Sequence, residues 1–224
     1  MAHEENKAFL RRVPLFSGLS EQQLEQLAAG SARRSFPKGR TIVSEGEPSQ
    51  SMYILLAGRA KVQRSDSEGK EVILAVLGSG EFFGEMSLID DSPRSASVIT
   101  LEPCEFMAVS KDAFKSMLMQ SPDVAMNVMR GLVRRLREAD QKIETLALLD
   151  VYGRVARVLL DFSETVGGER VVKNKLPRQE IAKMIGASRE MVSRVMKGLE
   201  LDGYIVPLPE GKLVLREKLS SYTS

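Results

Sequence analysis

The sequence is organised around one short stretch, Gly84-Glu85-Met86-Ser87-Leu88, followed closely by Pro93-Arg94-Ser95-Ala96. The carboxylate can accept hydrogen bonds from neighbouring sugar hydroxyls, and the arginine offers a forked, permanently charged partner for a phosphate. Backbone N–H groups near the first glycine, and at the start of a short helix beginning at about residues 85–87, would add donors for an anion. These chemistries together indicate a ligand that carries both a ribose and a phosphate. An ordinary Glu–Arg pair on a surface turn would show the same spacing.

A second motif, residues 177–200, has the organisation of a helix-turn-helix. A proline begins the first helix, and the small Ala182 sits where two helices must approach closely. Gly186 makes the turn, and Ser188 caps the second helix. The shared core is predicted at Ile181, Ile185, Val192, Val195, Met196 and Leu199. The side chains left to project outward are those of Arg189, Glu190, Ser193, Arg194 and Lys197. A surface helix with mixed charges is the simpler alternative.

Both motifs resemble those of the catabolite activator (cyclic-AMP receptor protein, Crp/Fnr) family of bacterial transcription regulators. The first is similar to the phosphate-binding cassette of cyclic-nucleotide-binding domains, and Ser188-Arg189-Glu190 with Arg194 is similar to the family's recognition helix. The resemblance covers about residues 15–215. It implies an α+β protein with an N-terminal β jelly-roll cyclic-nucleotide-binding domain, a long dimerisation helix and a C-terminal winged helix-turn-helix domain.

The resemblance implies a set of ligand-binding residues. Glu85 would bind the ribose 2′-hydroxyl, and Arg94 and Ser95 would bind the cyclic phosphate. The cassette contributes further contacts from Gly84, Met86 and Ser87. Apolar positions that line the pocket match Leu74, Ala75 and Leu77.

The base-recognition positions depart from the family pattern, which has adjacent Thr and Ser facing the adenine, one from each subunit. Here those positions are Ala139 and Asp140. The alanine side chain cannot hydrogen-bond, and an ionised aspartate only accepts, from the adenine amine or from guanine N1–H and N2–H₂. Cyclic AMP is the first expectation. Cyclic GMP, cyclic di-GMP (a ligand of some relatives) and a ligand-independent regulator that is active in its apo form stay open.

The same resemblance implies how DNA would be read. Arg189 and Arg194 would read guanines, and Glu190 would read a cytosine on the complementary strand. The implied half-site resembles TGTGA, present twice as an inverted repeat about one helical turn apart in a dimer. The remaining DNA-binding candidates, most of them for phosphate contacts, are Ser188, Gln179, Arg178, Ser193 and Lys197.

The rest of the chain shows a β-rich N-terminal half. Short apolar runs alternate with glycine turns, which predicts strands at 41–43, 52–56, 60–63, 72–77, 96–101 and 104–109. A helix at 6–12 should end before Pro14, and Ser20 with Gln23 forms a capping box for the next one. Further helices are predicted at 111–119 and 151–162. A hairpin is predicted around 170–175, after the Gly167-Gly168 pair, and a winged hairpin at 204–207 and 212–215.

A long helix, about residues 122–149, is predicted from Pro122 onward. Its apolar or small residues recur at steps of four and three, the a/d spacing of a coiled coil: Ala125, Met129, Leu132, Leu136, Ala139, Ile143 and Leu146. The opposite face carries Arg130, Arg134, Arg137, Glu138 and Lys142. A homodimer seam through this helix is favoured over packing on its own domain. The domains are predicted as 1–148 and 149–224, joined by a tight hinge.

Composition narrows the function classes. Of the 224 residues, 43% are hydrophobic and the net charge is +2. Residues 149–224 hold 13 basic and 10 acidic residues against 19 and 20 in residues 1–148, which permits nucleic-acid binding by the C-terminal part. No apolar run approaches 18 residues, and the acidic start lacks a signal-peptide core, so we expect a cytoplasmic, nucleoid-associated protein without a membrane partner.

Metal and enzyme chemistry are not expected. Cys104 and His3 are the only cysteine and histidine, so no disulfide, zinc site or iron–sulfur cluster is expected. The sequence has no Ser/His/Asp set and no Walker P-loop, which argues against an enzyme. The expected partners are double-stranded DNA, a cyclic nucleotide, a second copy of the chain and RNA polymerase. An enzyme-regulatory or channel-type nucleotide sensor is a third hypothesis, which the helix-turn-helix disfavours.

Overall fold

The computed structural model describes residues 2–223, with side chains from Glu4 onward, and divides the chain into two compact units. The first unit extends to Arg135 and the second begins at Leu136. One helix, Pro122–Leu148, runs through this division. The sequence analysis instead placed the domain boundary after residue 148, where this helix ends. That boundary stays a prediction. None of the helices in the described range is both long and apolar enough to cross a bilayer.

The first unit is built on two four-stranded antiparallel sheets. In chain order its strands are β1 (Ser31–Phe36), β2 (Thr41–Val43), β3 (Ser51–Ala57), β4 (Ala60–Ser65), β5 (Glu71–Leu77), β6 (Phe82–Phe83), β7 (Ser97–Thr100) and β8 (Cys104–Ser110). The strand orders are β1-β8-β3-β6 and β2-β7-β4-β5. One buried cluster takes Leu55 and Phe106 from the first sheet and Val43, Ala60 and Val98 from the second. The sheets therefore pack face to face, and the predicted eight-stranded jelly roll is confirmed.

All six predicted strands are present, but two strands were missed. Strand β1 carries mostly exposed side chains, so its sequence has no apolar alternation to detect. It is held by backbone pairing with β8, from Ser31 opposite Val109 to Phe36 opposite Cys104. Strand β6 is only two residues long and pairs with β3. Both strands form because of a partner that is distant in sequence, which a local pattern does not record.

Within the described residues, the helices that begin in the first unit are α1 (Ala2–Leu10), α2 (Glu21–Ala29), α3 (Met86–Ile89), α4 (Lys111–Gln120) and α5 (Pro122–Leu148). The predicted helix at 6–12 is shifted, because α1 starts earlier and ends before the 3-10 turn Pro14–Phe16. The capping box of Ser20 and Gln23 is present, with both reciprocal hydrogen bonds. The first half of α5 buries Val124, Val128 and Gly131.

The second unit is a winged helix-turn-helix. Its further elements are α6 (Val151–Asp161), β9 (Glu164–Val166), β10 (Glu169–Val172), α7 (Arg178–Ile185), α8 (Arg189–Leu201), β11 (Ile205–Pro207) and β12 (Leu213–Leu215). The four strands form one antiparallel sheet in the order β11-β12-β10-β9. Helices α6, α7 and α8 share a core that includes Leu159, Ile181 and Val192. The winged hairpin, β11 and β12, is confirmed.

The predicted hairpin around residues 170–175 is wrong in position. The hairpin is β9–β10, and the Gly167-Gly168 pair is its turn and not the end of the preceding segment. Both glycines have positive φ, +59° and +87°, which suits the two-residue turns that match the twist of antiparallel strands.

Gly186, at the turn between α7 and α8, gives a test of this local geometry. It has φ +66° and closes α7 in the left-handed region, and a Cβ there would meet nothing within 4 Å. Gly186→Ala should therefore lower the free energy of unfolding by about 1–2 kcal/mol through backbone strain alone. Gly186→Asn is the matched control and should lose less, because asparagine tolerates this conformation. Equal stability of all three proteins in urea would contradict the left-handed turn.

Candidate ligand site and DNA-reading surface

The cassette is a tight connection from β6 through α3 to β7. Gly84 has φ +85°, and a Cβ at this position would overlap the guanidinium of Arg94. Glu85 follows as the N-cap residue of α3. Only glycine allows both the backbone conformation and the close approach of the arginine.

Glu85 is a fully buried carboxylate, 0% exposed. Its Oε1 accepts a hydrogen bond of 2.5 Å from Nη1 of Arg135 on α5. Its Oε2 has no hydrogen-bond partner within the described residues. Arg135 also donates to the carbonyl oxygen of Phe82, and its guanidinium lies 5.0 Å from the centre of the Phe82 ring. One oxygen of a buried acid is therefore free to accept a hydrogen bond from a ligand.

Burial dominates the electrostatics of this carboxylate. Desolvation raises the pKa of Glu85 above its ordinary value of 4.5, and the positive charges of Arg135 and Arg94 oppose the shift. Since the net direction is upward, the two arginines do not fully offset the loss of water. A further hydrogen-bond donor at Oε2 would favour the ionised form.

Arg94 is also buried, only 6% exposed, and is tied to the backbone on both sides. Its Nη1 donates to the Gly84 carbonyl at 3.0 Å, and its Nη2 donates to the Ser51 carbonyl on β3 at 2.5 Å. Burial lowers the pKa of Arg94, with the groups of Tyr53, Glu85 and Glu47 opposing. A guanidinium has five N–H groups and stays protonated, so donors remain for an anion.

The loop between α3 and Arg94 is held from two sides. Asp91 has φ +58°, unusual for a non-glycine residue, and its carboxylate contacts Lys111 at 2.6 Å and Lys115 at 3.0 Å on α4. These two lysines lower the pKa of Asp91. The Arg94 backbone N–H donates to the Glu47 carbonyl at 2.9 Å. The loop therefore presents Arg94 from a fixed backbone.

The remaining predicted ligand residues lie on the cassette, on β5 and on α5. Ser87 is buried and donates its hydroxyl to the Pro93 carbonyl at 3.3 Å. Met86 and Ser95 are exposed beside the cassette, while Leu74 and Ala75 lie on β5. Ala139 and Asp140 belong to the second unit, where both are exposed on α5.

Arg135 is the functional candidate that the sequence analysis missed. A signal for it does exist, because it continues the buried stripe of Val124, Val128 and Gly131 at steps of four, three and four. A charged residue in phase with a buried stripe indicates a buried acidic partner. The sequence analysis considered only the a/d residues on the neighbouring face of α5, so this buried stripe was overlooked.

The DNA-reading surface is the outward face of α8 and the start of α7. Ser188 caps α8 by accepting from the Met191 N–H at 3.1 Å, as predicted. Arg189, Glu190 and Arg194 are exposed and make no ion pair within the described part of the chain. Arg178, Gln179 and Lys197 are also exposed, and Ser193 is half-buried. The face therefore offers unpaired donors and one acceptor to an outside partner.

Comparison with known proteins agrees with both halves of this description. Residues 33–121 match a family model described as the cyclic nucleotide-binding domain, and residues 153–220 match the Crp-like helix-turn-helix domain. A CRP-like cAMP-activated global transcriptional regulator of Mycobacterium tuberculosis is 34% identical over 210 residues, which cover 92% of this chain and 93% of the relative. The cyclic AMP receptor protein of Thermus thermophilus is 36% identical over 208 residues, covering 93% and 94%.

Solved structures give the same result. A c-di-GMP-responsive global regulator of Xanthomonas campestris superposes with a TM-score of 0.74 at 29% identity, covering 88% of this chain and 99% of that one. A nucleotide-binding β domain joined to a winged helix-turn-helix defines a class of ligand-responsive transcription regulators. This chain belongs to the Crp/Fnr family within that class. It is accordingly a transcription regulator and not an enzyme.

The raised pKa of Glu85 predicts a pH-dependent contribution to stability. The fold favours the neutral carboxyl, so its stabilising contribution is present below 4.5 and is lost as pH rises through the folded-state pKa. Glu85→Gln mimics the neutral form without titrating. Its free energy of unfolding, relative to the natural protein, should therefore improve as pH rises from about 4.5 towards 7.

The matched control is Glu68→Gln, which removes one carboxylate at an exposed turn. Urea unfolding of the three proteins at each pH measures the differences. A relative stability of Glu85→Gln that worsens with rising pH would show that Arg135 and Arg94 outweigh burial.

Proposed function

We propose that the protein is a homodimeric transcription regulator controlled by a cyclic nucleotide, with cyclic AMP as the first candidate. The observation that carries the proposal is the fully buried Glu85 carboxylate, which has one unpartnered oxygen and lies beside Arg94. A ribose hydroxyl would satisfy that oxygen. The same nucleotide's phosphate would receive the remaining N–H donors of Arg94 and the Ser95 hydroxyl.

The base of the nucleotide is a finer part of the proposal. The relatives from M. tuberculosis and T. thermophilus carry cyclic AMP in their names, and the X. campestris regulator carries c-di-GMP. Asp140 would accept from the adenine amine, or from the two guanine donors, while Ala139 offers no polar group. Cyclic GMP and cyclic di-GMP are therefore the alternative ligands.

The dimer is supported by the exposed seam of α5. Leu136 is 62% exposed and Ile143 is 65% exposed, although both are large apolar side chains at a/d positions. Met129 and Leu146 on the same seam are about half exposed. Apolar side chains in heptad phase over such a length fit a second copy of the same helix better than they fit solvent.

The proposed DNA contacts come from the exposed side chains of α8 that make no ion pair within the described residues. Arg189 and Arg194 would bond guanine O6 and N7, and Glu190 would accept from cytosine N4 in TGTGA-like half-sites. Two recognition helices related by a two-fold axis would reach successive major grooves of an inverted repeat. The proposal includes RNA polymerase as a partner and a cytoplasmic, nucleoid-associated location, because the DNA target lies there.

The proposed control runs through Arg135. This residue belongs to α5 and is the hydrogen-bond partner of Glu85, so a ribose at Glu85 alters the environment of a helix residue directly. Helix α5 continues to the joint at Leu149 and Asp150, beyond which α6 begins. The ligand must bind the DNA-competent arrangement more tightly, because only differential affinity shifts the population.

A second candidate is a regulator that is active without ligand. One observation favours it: Arg94 already donates to two carbonyls, and Glu85 already pairs with Arg135. In that case the cassette would be a structural cluster, and DNA binding would not respond to any nucleotide.

Calorimetric titration with cyclic AMP, cyclic GMP and cyclic di-GMP separates these candidates. One ligand should bind, and Arg94→Met should weaken its binding by at least tenfold, because a charge-assisted contact to phosphate contributes about 1.5–3 kcal/mol. Arg64→Met is the matched control, since Arg64 is an exposed arginine on β4 paired with Glu45. Thermal unfolding of both variants checks that they fold. No binding by any of the three nucleotides would favour the ligand-independent regulator.

Two substitutions on α8 test the DNA assignment. Arg189→Ala should cost about 1–3 kcal/mol on a duplex with two inverted TGTGA half-sites and should relax preference at one guanine. Lys197→Ala should weaken binding to all sequences equally and lower the salt dependence by about one phosphate contact. Fluorescence anisotropy measures both, with two chains bound per duplex. Uniform weakening by Arg189→Ala would remove it from base reading.

A further inference from the structure

The first turn of α6 contacts the recognition helix at a glycine. Tyr152 is the second residue of α6, two positions after the N-cap Asp150. A Cβ built at Gly198 of α8 would lie 2.9 Å from the Tyr152 hydroxyl oxygen and 3.5 Å from its Cε1. Glycine inside a helix destabilises it by about 1 kcal/mol relative to alanine. The close approach of the phenol accounts for the glycine here.

The Tyr152 ring is fixed on its other side by the 3-10 segment Glu217–Thr223, which we name the strap. Tyr152 stacks on Tyr222 at 5.9 Å between ring centres, and Tyr222 packs edge-on against Tyr204 at 5.1 Å. Leu219 anchors the strap in the core with no exposed surface. The phenol at Gly198 therefore cannot move without disturbing a packed aromatic cluster.

The strap also contacts the C-terminal end of α8 and the first turn of α6. Lys218 donates to the carbonyl of Asp202, the C-cap residue of α8, at 2.8 Å, and its Nζ lies 4.4 Å from the centre of the Tyr204 ring. A Cβ at Gly153 would lie 2.7 Å from the Tyr222 carbonyl oxygen, so the strap backbone rests directly on α6. The start of α6 and the end of α8 are thus held by one segment.

Arg154 of α6 connects this helix to the C-terminal end of α5. Its side chain donates to the carbonyl oxygens of Leu146 at 2.7 Å and Leu149 at 3.0 Å, which satisfies groups at the C-terminal end of α5. The Asp150 side chain accepts from the Gly153 N–H at 2.9 Å and caps α6. A continuous set of contacts therefore runs from the end of α5 through the first turn of α6 to Gly198 on α8.

We propose that Tyr152 is a positioning residue for DNA reading: its phenol, seated on Gly198 and clamped by the strap, sets the orientation of α8 relative to the end of α5. This inference rests on the proposed DNA-binding function. Arg189 and Arg194 are on the same helix as Gly198, so displacing the phenol tilts both side chains together. Neither Tyr152 nor Gly198 contacts DNA in this proposal.

The test is a double-mutant cycle on the full chain. Gly198→Ala adds a Cβ in conflict with the Tyr152 hydroxyl and displaces the ring. Tyr152→Phe removes that oxygen, and the nearest remaining ring atom, Cε1, is 3.5 Å from the new Cβ, which is ordinary contact. Affinity for the inverted-repeat duplex and for a scrambled duplex is measured by anisotropy, with cyclic AMP and without nucleotide. Thermal unfolding is measured for all four proteins.

Gly198→Ala should lower the affinity ratio of inverted-repeat to scrambled duplex about tenfold, the change that 1.4 kcal/mol produces. Tyr152→Phe alone should leave the ratio near that of the natural protein, and the double variant should recover most of the loss. A merely structural contact would move the unfolding temperature and leave the ratio unchanged, and that result would overturn the proposal. If the natural protein does not distinguish the two duplexes in either condition, the proposed function fails, and the positioning role fails with it.

Discussion

Much of the first unit depends on one unfavourable term, the burial of the Glu85 carboxylate away from water. An ionised group in a protein interior is retained only when charges and hydrogen bonds replace its hydration. Here the replacement comes from Arg135 on α5 and, through charge alone, from Arg94. The raised pKa shows that this replacement is incomplete. In the proposed function, a ribose hydroxyl that donates to the unpartnered Oε2 would complete the replacement.

This requirement explains several local features that otherwise look unrelated. Gly84 must be glycine because the Arg94 guanidinium occupies the space where a Cβ would point. Gly131 must be small because the Phe82 ring packs on α5 there, with a Cβ only 2.9 Å from the ring edge. The same ring lies beneath the Arg135 guanidinium. The close packing of α5 on β6 is therefore what brings Arg135 within reach of the buried acid.

The sequence predicted those parts of the fold that local chemistry determines. Ser20 with Gln23 and Ser188 cap their helices as predicted, because a cap uses residues only three positions apart. The six apolar strands were equally visible, since alternation with glycine turns is a local signal. Strand β1 was not visible, because its exposed side chains carry no pattern and its stability comes from pairing with β8, some 70 residues away. The hairpin β9–β10 was misplaced because two glycines were interpreted as a helix end.

In the candidate site, too, the sequence revealed the residues that are close together in the chain and missed the one that is distant. Glu85 and Arg94 were found because both fall in one short motif, whereas Arg135 comes from a helix 50 residues away. Its role depends on the exact phase of α5 against the jelly roll, which heptad spacing alone does not determine. Two stripes run along this helix: Val124, Val128, Gly131 and Arg135 face the first unit, while Leu136 and Ile143 belong to an exposed face.

The presence of two stripes on one helix has a mechanical consequence. A helix is rigid over a few turns because its backbone hydrogen bonds fix each residue relative to the next. Under the proposed function, a ligand at Glu85 would therefore act on the same helix that carries the exposed stripe of the proposed dimer. Helix α5 ends at Leu148 and α6 begins at Val151 with Asp150 as its N-cap, so no flexible linker separates the two helices. In the proposed function, α5 is thus the element shared by the ion-pair partner of Glu85, the dimer seam and the joint to α6.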